Sequence, residues 1–507
     1  MADRLPPELI IEIVHYLPLT DATLGVLTQV CSTWRRVIAS EPKLWRKLTL
    51  SPRVNWDSPV LGPNQSHIEF GRQWLQRAGP YGLEIVIDDL ATTMYNLKPS
   101  PHNLLDAIMP FYKQWQTLQL SLHFDSYKPL FDMVGSELPR LEEISLEFSS
   151  RDGDILRPLE QQKTKTFDAA PLLKRVQLVS QESDYRLPLP LLDCISFPYQ
   201  RLTTLVLENV FDANHPVLTQ ILAVATNLEH ARFVLGYSTL DFEDLAGDEW
   251  ERRDELYRSK RSFASCPKLV DLEIISQGVI EADFVLEVLT APALRELRLY
   301  HNLVLELSDA LEAFQKRSKA PLQLLHLHCF DEIDPDTGAD LVAFLKLVGE
   351  TLQELVYNVH GHAPDYMLDM MEMITFPLDT GDFTGDPLLP NLKRLGIGLY
   401  FCNPTFARAL YRVVASRGYT NPGPPDVSPG CWFQDWSKEH RLEEVVLYCD
   451  AYESASFYNL RRQLRSFEER EVDALRVTWC GTGRDRSPQR SPCEEETNRT
   501  FSFDNRR

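Results

Sequence analysis

The side chains best placed to do chemistry are few. His326 and His328, followed by Cys329, stand two residues apart, so on a strand both imidazoles point to one side and could converge on an ion. A structural zinc site takes four ligands, and no second pair of suitable type and spacing follows. The reading kept here is two histidines on the open face of a strand, and His360-Gly361-His362 is read the same way. Asp331 to Asp340 is acidic, but Pro335 interrupts it and it lacks the spacing of a calcium loop; it reads as a turn ahead of a helix. There is no Gly-rich phosphate loop ending in Lys-Ser/Thr, no Gly-x-Ser-x-Gly elbow and no His-Glu-x-x-His. The expectation is a chain that is not an enzyme, with no catalytic residue, no metal and no cofactor.

The chemistry left is that of recognition, and the elements that must present it recur. The pattern apolar-x-x-apolar-x-apolar starts at Trp115, Leu141, Leu173, Leu202, Leu228, Leu269, Leu294, Leu322, Leu352, Leu392, Leu442 and, more weakly, Val472. Most starts are 25 to 32 residues apart, with longer gaps of 41, 40 and 50. Between them lie helix-like runs: Leu218 to Ala225, Phe284 to Leu289, Leu307 to Phe314, Leu341 to Val348, Phe406 to Val414 and Phe457 to Phe467. One strand backed by one helix cannot bury its own apolar face, so such units must stack. The pattern resembles leucine-rich repeats of the long, helix-containing kind, which implies a solenoid of parallel strands with outer helices.

If the apolar positions point into the core, the residues between and just after them face outward. These include Gln119, Glu143, Glu147 and Glu208 on the early, acidic strands. Arg175, Arg232, Arg298, Tyr300, His326, His328, Arg394, Tyr448 and Arg476 are taken as candidate target-binding residues, since Arg and Tyr are enriched at binding hot spots. The alternative for each is a merely solvated side chain.

The N-terminal stretch is richer in apolar groups than a short module can bury alone. Pro6 and Pro7 suit a first helical turn, and Glu8 complements the helix dipole. Leu9, Ile10, Ile13, Val14 and Leu17 follow at helical spacing until Pro18 stops the helix. Asp21 is a plausible N-cap for a second helix. Leu24, Leu27, Val30, Cys31, Trp34, Val37 and Ile38 continue the period, and Leu44, Trp45 and Leu48 close the group. The module either caps the domain that follows or docks a partner.

Four landmarks occur in order: Leu5-Pro6, Leu17-Pro18, Val30-Cys31-Ser32-Thr33-Trp34-Arg35, and Pro42-Lys43-Leu44-Trp45. The stretch that carries them resembles an F-box. With the repeats behind it and Trp74-Leu75-x-Arg77-Ala78-Gly79 between, the chain is similar to the F-box proteins of mushroom-forming fungi. The resemblance implies a substrate receptor of a Skp–cullin–F-box ubiquitin ligase. Its adaptor-binding residues would come from Leu5, Pro6, Leu9, Ile13, Leu17, Pro18, Trp34, Leu44 and Trp45, some of which must instead form the module's own core. The partners implied are a Skp-type adaptor, cullin through it, and a target protein held on the repeats. The alternative is an F-box and leucine-rich-repeat scaffold or recognition protein outside any ligase.

Composition agrees with this class. The 507 residues carry a formal net charge of −21, which argues against a general nucleic-acid or anionic-membrane binder. Nine cysteines are scattered without a C-x-x-C, as expected of reduced thiols in the cytoplasm or nucleus. The start Met1-Ala2-Asp3-Arg4 runs directly into a helix, so no signal peptide is expected. The organisation expected is an F-box over 1–50, a linker and first helix-strand unit over 51–114, leucine-rich repeats over 115–480 and a disordered tail over 481–507. The long gaps are read as insertions: a charged, solvated helix over Asp241 to Arg261, and loops over Gly361 to Pro387 and Gly418 to Trp436.

Overall fold

The computed structural model describes residues 5–17, 21–51, 65–89, 103–133, 138–149, 164–180, 192, 195–209, 216–235, 263–276, 281–301, 307–329, 337–359, 365–375, 388–399, 404–417, 442–449, 460, 462, 464 and 476–481. The chain divides into two units, Met1–Cys266 and Pro267–Arg507.

The first unit opens with α1 (Pro7–His15), α2 (Asp21–Leu27) and α3 (Ser32–Ser40), then a 3-10 turn, Pro42–Trp45, and β1 (Lys47–Leu50). There follow α4 (Gln65–Arg77), β2 (Leu83–Asp88), α5 (Leu105–Ile108), β3 (Trp115–His123), α6 (Lys128–Phe131) and β4 (Glu143–Ser149). The unit continues with β5 (Arg175–Ser180), β6 (Thr204–Glu208), α7 (Pro216–Val224) and β7 (His230–Leu235). These seven strands pair in chain order, all parallel.

The second unit alternates more regularly. It contains β8 (Asp271–Ser276), α8 (Glu281–Val288), β9 (Glu296–His301), α9 (Leu307–Ser318), β10 (Leu324–Cys329) and α10 (Thr337–Val348). It goes on with β11 (Glu354–Val359), α11 (Asp365–Ile374), β12 (Arg394–Leu399), α12 (Pro404–Ser416), β13 (Glu444–Cys449) and β14 (Arg476–Gly481). Its seven strands are also parallel and in chain order. Two further strands of two residues each, Ala264–Ser265 and Leu289–Thr290, lie outside these sheets.

The repeat pattern explains the sheets. Residues two apart on a strand share a face, and the second and third apolar positions are buried in repeat after repeat, as with Ile144 and Leu146, Leu205 and Leu207, Leu297 and Leu299, or Leu395 and Ile397. The first apolar position is buried ahead of the strand, as at Leu141, Leu202, Leu294 and Leu392. The residue just after it links neighbouring repeats through the backbone. Its N–H donates to the carbonyl of the same position one repeat earlier: Glu142 to Gln116, Lys174 to Glu142 and Thr203 to Lys174, each at 2.9 Å. In the second unit Gln323 donates to Arg295 and Gln353 to Gln323, each at 2.8 Å. Twelve pattern positions thus become twelve strands, β3 to β14.

Three expectations change. The strands start at Lys47, within the stretch expected to be F-box, rather than in the helix-strand unit expected over 51–114, because Leu48 and Leu50 point inward from β1 and β1 pairs with β2. The expected boundary at residue 50 therefore falls at the end of a strand of the sheet. The twelfth repeat is out of phase by two residues: Val445 pairs with Val477, not with Leu475. The stretch Gly361 to Pro387 is not all loop, since α11 lies within it. Pro364 stands just ahead of that helix, and Met370, Met371 and Ile374 bury one face of it. The charged stretch Asp241 to Arg261, the stretch Gly418 to Trp436, His360 to His362 and the tail beyond Gly481 lie outside the described residues.

The helices of the second unit are tied to one another by arginine. Arg317, near the end of α9, donates to the carbonyl of Leu286 at 2.6 Å and that of Leu289 at 3.1 Å. Arg417, just past α12, donates to Ile374 O, Leu389 O and Leu392 O at 3.1, 2.9 and 3.3 Å. Each thus reaches a carbonyl at the C-terminal end of the preceding helix, where a cation is favoured, and Arg417 also ties that end to the segment leading into β12. Burial pulls Arg417 down to about 9.

Candidate functional site

The N-terminal module sorts its apolar residues onto two faces. Ile10 and Val14, one helical turn apart on α1, are buried along with Leu24, Trp34, Val37 and Ile38. Leu9, Ile13 and Leu17 repeat the same spacing on the other face and stay open. Leu9 is 45% exposed, Ile13 40% and the neighbouring Tyr16 84%. Pro6 is exposed and Leu5 half-buried. Of the thirteen large apolar residues exposed among the described ones, six (Leu9, Ile13, Tyr16, Leu17, Val26 and Val30) lie in this module. Such a concentration in one short module makes it the candidate interaction surface.

Three of the expected docking residues belong elsewhere. Trp34, Leu44 and Trp45 are buried, because the short module needs them for its own core and for its junction with the sheet. Trp45 Nε1 donates to Ile38 O at 2.8 Å, and its ring meets Trp74 edge-on at 4.6 Å with Arg77 over it at 4.5 Å. Trp74 Nε1 in turn donates to Lys47 O at 3.0 Å. The positive φ of 61° at Gly79, just past α4, is a conformation glycine alone adopts freely. It turns the chain from α4 towards β2. Pro18 lies outside the described residues.

Residues 2–51 match the F-box-like family model. The N-terminal module is F-box-like. No curated protein matches the chain. The exposed strip on α1 is therefore a surface of an F-box-like module; Tyr16 follows it directly, and Val26 and Val30 are exposed elsewhere in the same module. Sequence reading passed over Tyr16 and Val26 because the helical period favours residues that share a face with the core.

The second candidate surface is the sheet face opposite the apolar core, and the register sorts it into rows. In the first unit one row runs Lys47, Glu84, Thr117, Glu143, Arg175, Thr204, His230. Arg175 approaches Glu143, and Arg232 approaches Glu208, each at 3.6 Å. Burial raises the pKa of Glu143, and Arg175 offsets it only in part. Burial likewise raises Glu208, against a partial offset from Arg232.

In the second unit the corresponding row runs Asp271, Glu296, Leu324, Glu354, Arg394, Glu444, Arg476. Arg298 holds Asp271 and Glu296, each at 2.6 Å. Arg394 bridges Glu354 at 2.8 Å and Glu444 at 3.1 Å, while His326 meets Glu354 at 2.8 Å. Burial pushes Glu354 up, but the hydrogen bond and charge of His326 and the charges of Arg394 and Arg298 outweigh it, so its pKa falls below the ordinary value. Burial likewise opposes the charge on Arg298, and its carboxylate neighbours, Asp271 foremost, raise its pKa in spite of it.

Tyr300 and His328 depart from the expected role of open contact residues. They are only 8% and 4% exposed and stack on each other at 4.5 Å between ring centres. Tyr448 reaches over from β13, and its ring meets that of His328 edge-on at 6.2 Å. Asn358 and Gly398 lie between them in the register. Sequence reading missed the carboxylates Asp271, Glu296, Glu354 and Glu444. All four occupy the slot before the second apolar position of their repeats, and that constancy was the available signal.

Proposed function

We propose that this chain is the substrate-recognition subunit of a Skp–cullin–F-box ubiquitin ligase, acting in the cytoplasm or nucleus. The F-box-like module docks a Skp-type adaptor, and through it cullin, while the sheets, read as leucine-rich repeats, hold a target protein. The chain performs no bond chemistry; it raises the rate by holding the target near the charged enzyme. The observation that carries this reading is the strip Leu9, Ile13, Tyr16 and Leu17, left open after Ile10 and Val14 have filled the module's own core.

The test is co-purification of the full chain with a Skp-type adaptor and cullin. Leu9→Asp with Ile13→Asp puts two charges on the open strip and none in the core. Capture of the adaptor is expected to fall by at least about a hundredfold, as for two hot-spot contacts of about 2 kcal/mol each, with an unchanged melting curve. Undiminished capture sinks the reading. Adaptor capture without cullin points instead to a scaffold outside the ligase.

A further inference from the structure

The sheet face of Pro267–Arg507 shows what kind of target it suits. Its rows carry five carboxylates (Asp271, Glu273, Glu296, Glu354 and Glu444) against three arginines (Arg298, Arg394 and Arg476). Arg298 and Arg394 are each clamped by two carboxylates. Of these three arginines, only Arg476 has no carboxylate partner among the described residues. A phosphate arriving here would have to compete for arginines already satisfied, beside a surplus of negative charge.

A second, independent observation points the same way. Asn358 is 8% exposed, and its Nδ2 lies 3.3 Å from His328 Nδ1, but its Oδ1 accepts no hydrogen bond. A buried carbonyl oxygen left unpaired is costly and calls for a donor. His328 stands beside Asn358 in the register, stacks on Tyr300 and meets the ring of Tyr448 edge-on. The β12 strand beside Asn358 presents Gly396 and Gly398, so no side chain stands between Asn358 and Tyr448 in that row. At Gly396 any Cβ would lie 2.8 Å from Val356 Cγ2, so a larger residue there would crowd Val356. An acceptor and π faces, on a sheet face whose neighbouring rows carry the carboxylates, suit a group that is cationic and rich in N–H donors.

We infer that this face takes a basic segment of the target, with an arginine or lysine side chain donating to Asn358 Oδ1 beside the ring of Tyr448. The inference rests on the reading of the sheets as the target-holding part. It specifies an arginine- or lysine-bearing segment rather than a phosphorylated one.

The test uses the full chain and fluorescence anisotropy with short labelled glycine-serine peptides bearing arginines, lysines, phosphoserines or none of these. The arginine and lysine peptides are expected to bind, and the phosphoserine and neutral ones to bind more weakly. Asn358→Leu leaves every charge in place and is expected to weaken arginine-peptide binding about tenfold. Tyr448→Leu, at a half-buried ring, should weaken it by about threefold, which keeps the test open if the first variant does not fold. Preference for phosphoserine overturns the inference. So does arginine-peptide binding that neither variant alters, the result expected of general attraction to an acidic chain. Adaptor capture is read on the same preparation: if it persists while the peptides fail, this inference falls alone, and if it fails too, the ligase reading falls with it.

Discussion

On the face of Met1–Cys266, Arg175 and Arg232 stand 3.6 Å from Glu143 and Glu208. On the face of Pro267–Arg507, Arg298 and Arg394 each lie 2.6 to 3.1 Å from two carboxylates. The residue types and the strand register are alike, yet Glu143 and Glu208 are pushed towards their neutral forms whereas Glu354 is held ionised. A carboxylate half removed from water repays its desolvation only when donors come within hydrogen-bonding reach. The second unit also interleaves a helix between successive strands from β8 to β13, whereas between β4 and β6 the described residues of the first hold only helical Leu192 and a 3-10 turn, Tyr199–Arg201. A regular frame holds neighbouring strands alike, and cross-strand bridges can then close.

The largest effect that sharpens this contrast is expected at Arg417. Arg417→Ala leaves the carbonyls of Ile374, Leu389 and Leu392 without their donor and should destabilise the second unit by about 3 kcal/mol, read as a lowered denaturation midpoint. Arg317→Ala, which loses two such bonds, should cost about half as much on the same principle. Equal and negligible losses at both sites would show that the arginines do not tie the helices together.

A smaller effect is expected from Glu354→Gln, which breaks the bridges to His326 and Arg394 and should cost about 1 to 2 kcal/mol near neutral pH. Because the folded-state pKa of Glu354 is depressed, its stabilisation is full above the ordinary value of 4.5 and is lost as pH falls through the folded value. The variant should therefore approach the parent in stability at acid pH.

The smallest effect has the opposite sign. Glu143 has a raised pKa, so the stability linked to its protonation is present below 4.5 and is lost as pH rises through the folded value. Glu143→Gln removes that loss and leaves Arg175, which is largely exposed, in water. A gain of about 0.5 kcal/mol at neutral pH is expected, shrinking on acidification. If both glutamates proved destabilising to replace, the contrast between the two faces would be broken.

Much of the fold was legible because the repeat writes its core at fixed spacing. Leu141, Ile144 and Leu146 or Leu392, Leu395 and Ile397 could be placed from the pattern alone. The twelfth repeat slipped because Val472, Leu475 and Val477 satisfy the same spacing as the true positions Val477 and Trp479, and only pairing with β13 separates them. The helix α11 was hidden by the glycines, prolines and aspartates that flank it on both sides. In the F-box-like module, the F-box resemblance named Leu9 and Ile13 as candidate docking residues, and the structure leaves both exposed. Trp34, Leu44 and Trp45 were not separable from them, since a large apolar residue suits a core and a docking face equally.

By itself the sequence determined the order of the chain: an F-box-like module, then strands in series with helices between most of them. Those features depend on local spacing, on proline and capping positions, and on which residues prefer to leave water. It also determined which residues face outward on each strand, because alternation is a property of one strand. Only the tertiary structure decided how outward residues on different strands meet: that Arg394 spans Glu354 and Glu444, that Tyr448 reaches His328 across Asn358 and Gly398, and that Trp45 seals against Trp74. Those contacts join residues from 29 to 120 positions apart in the chain. Angstrom-scale differences in strand packing, which no local pattern encodes, set their distances and so their charge states.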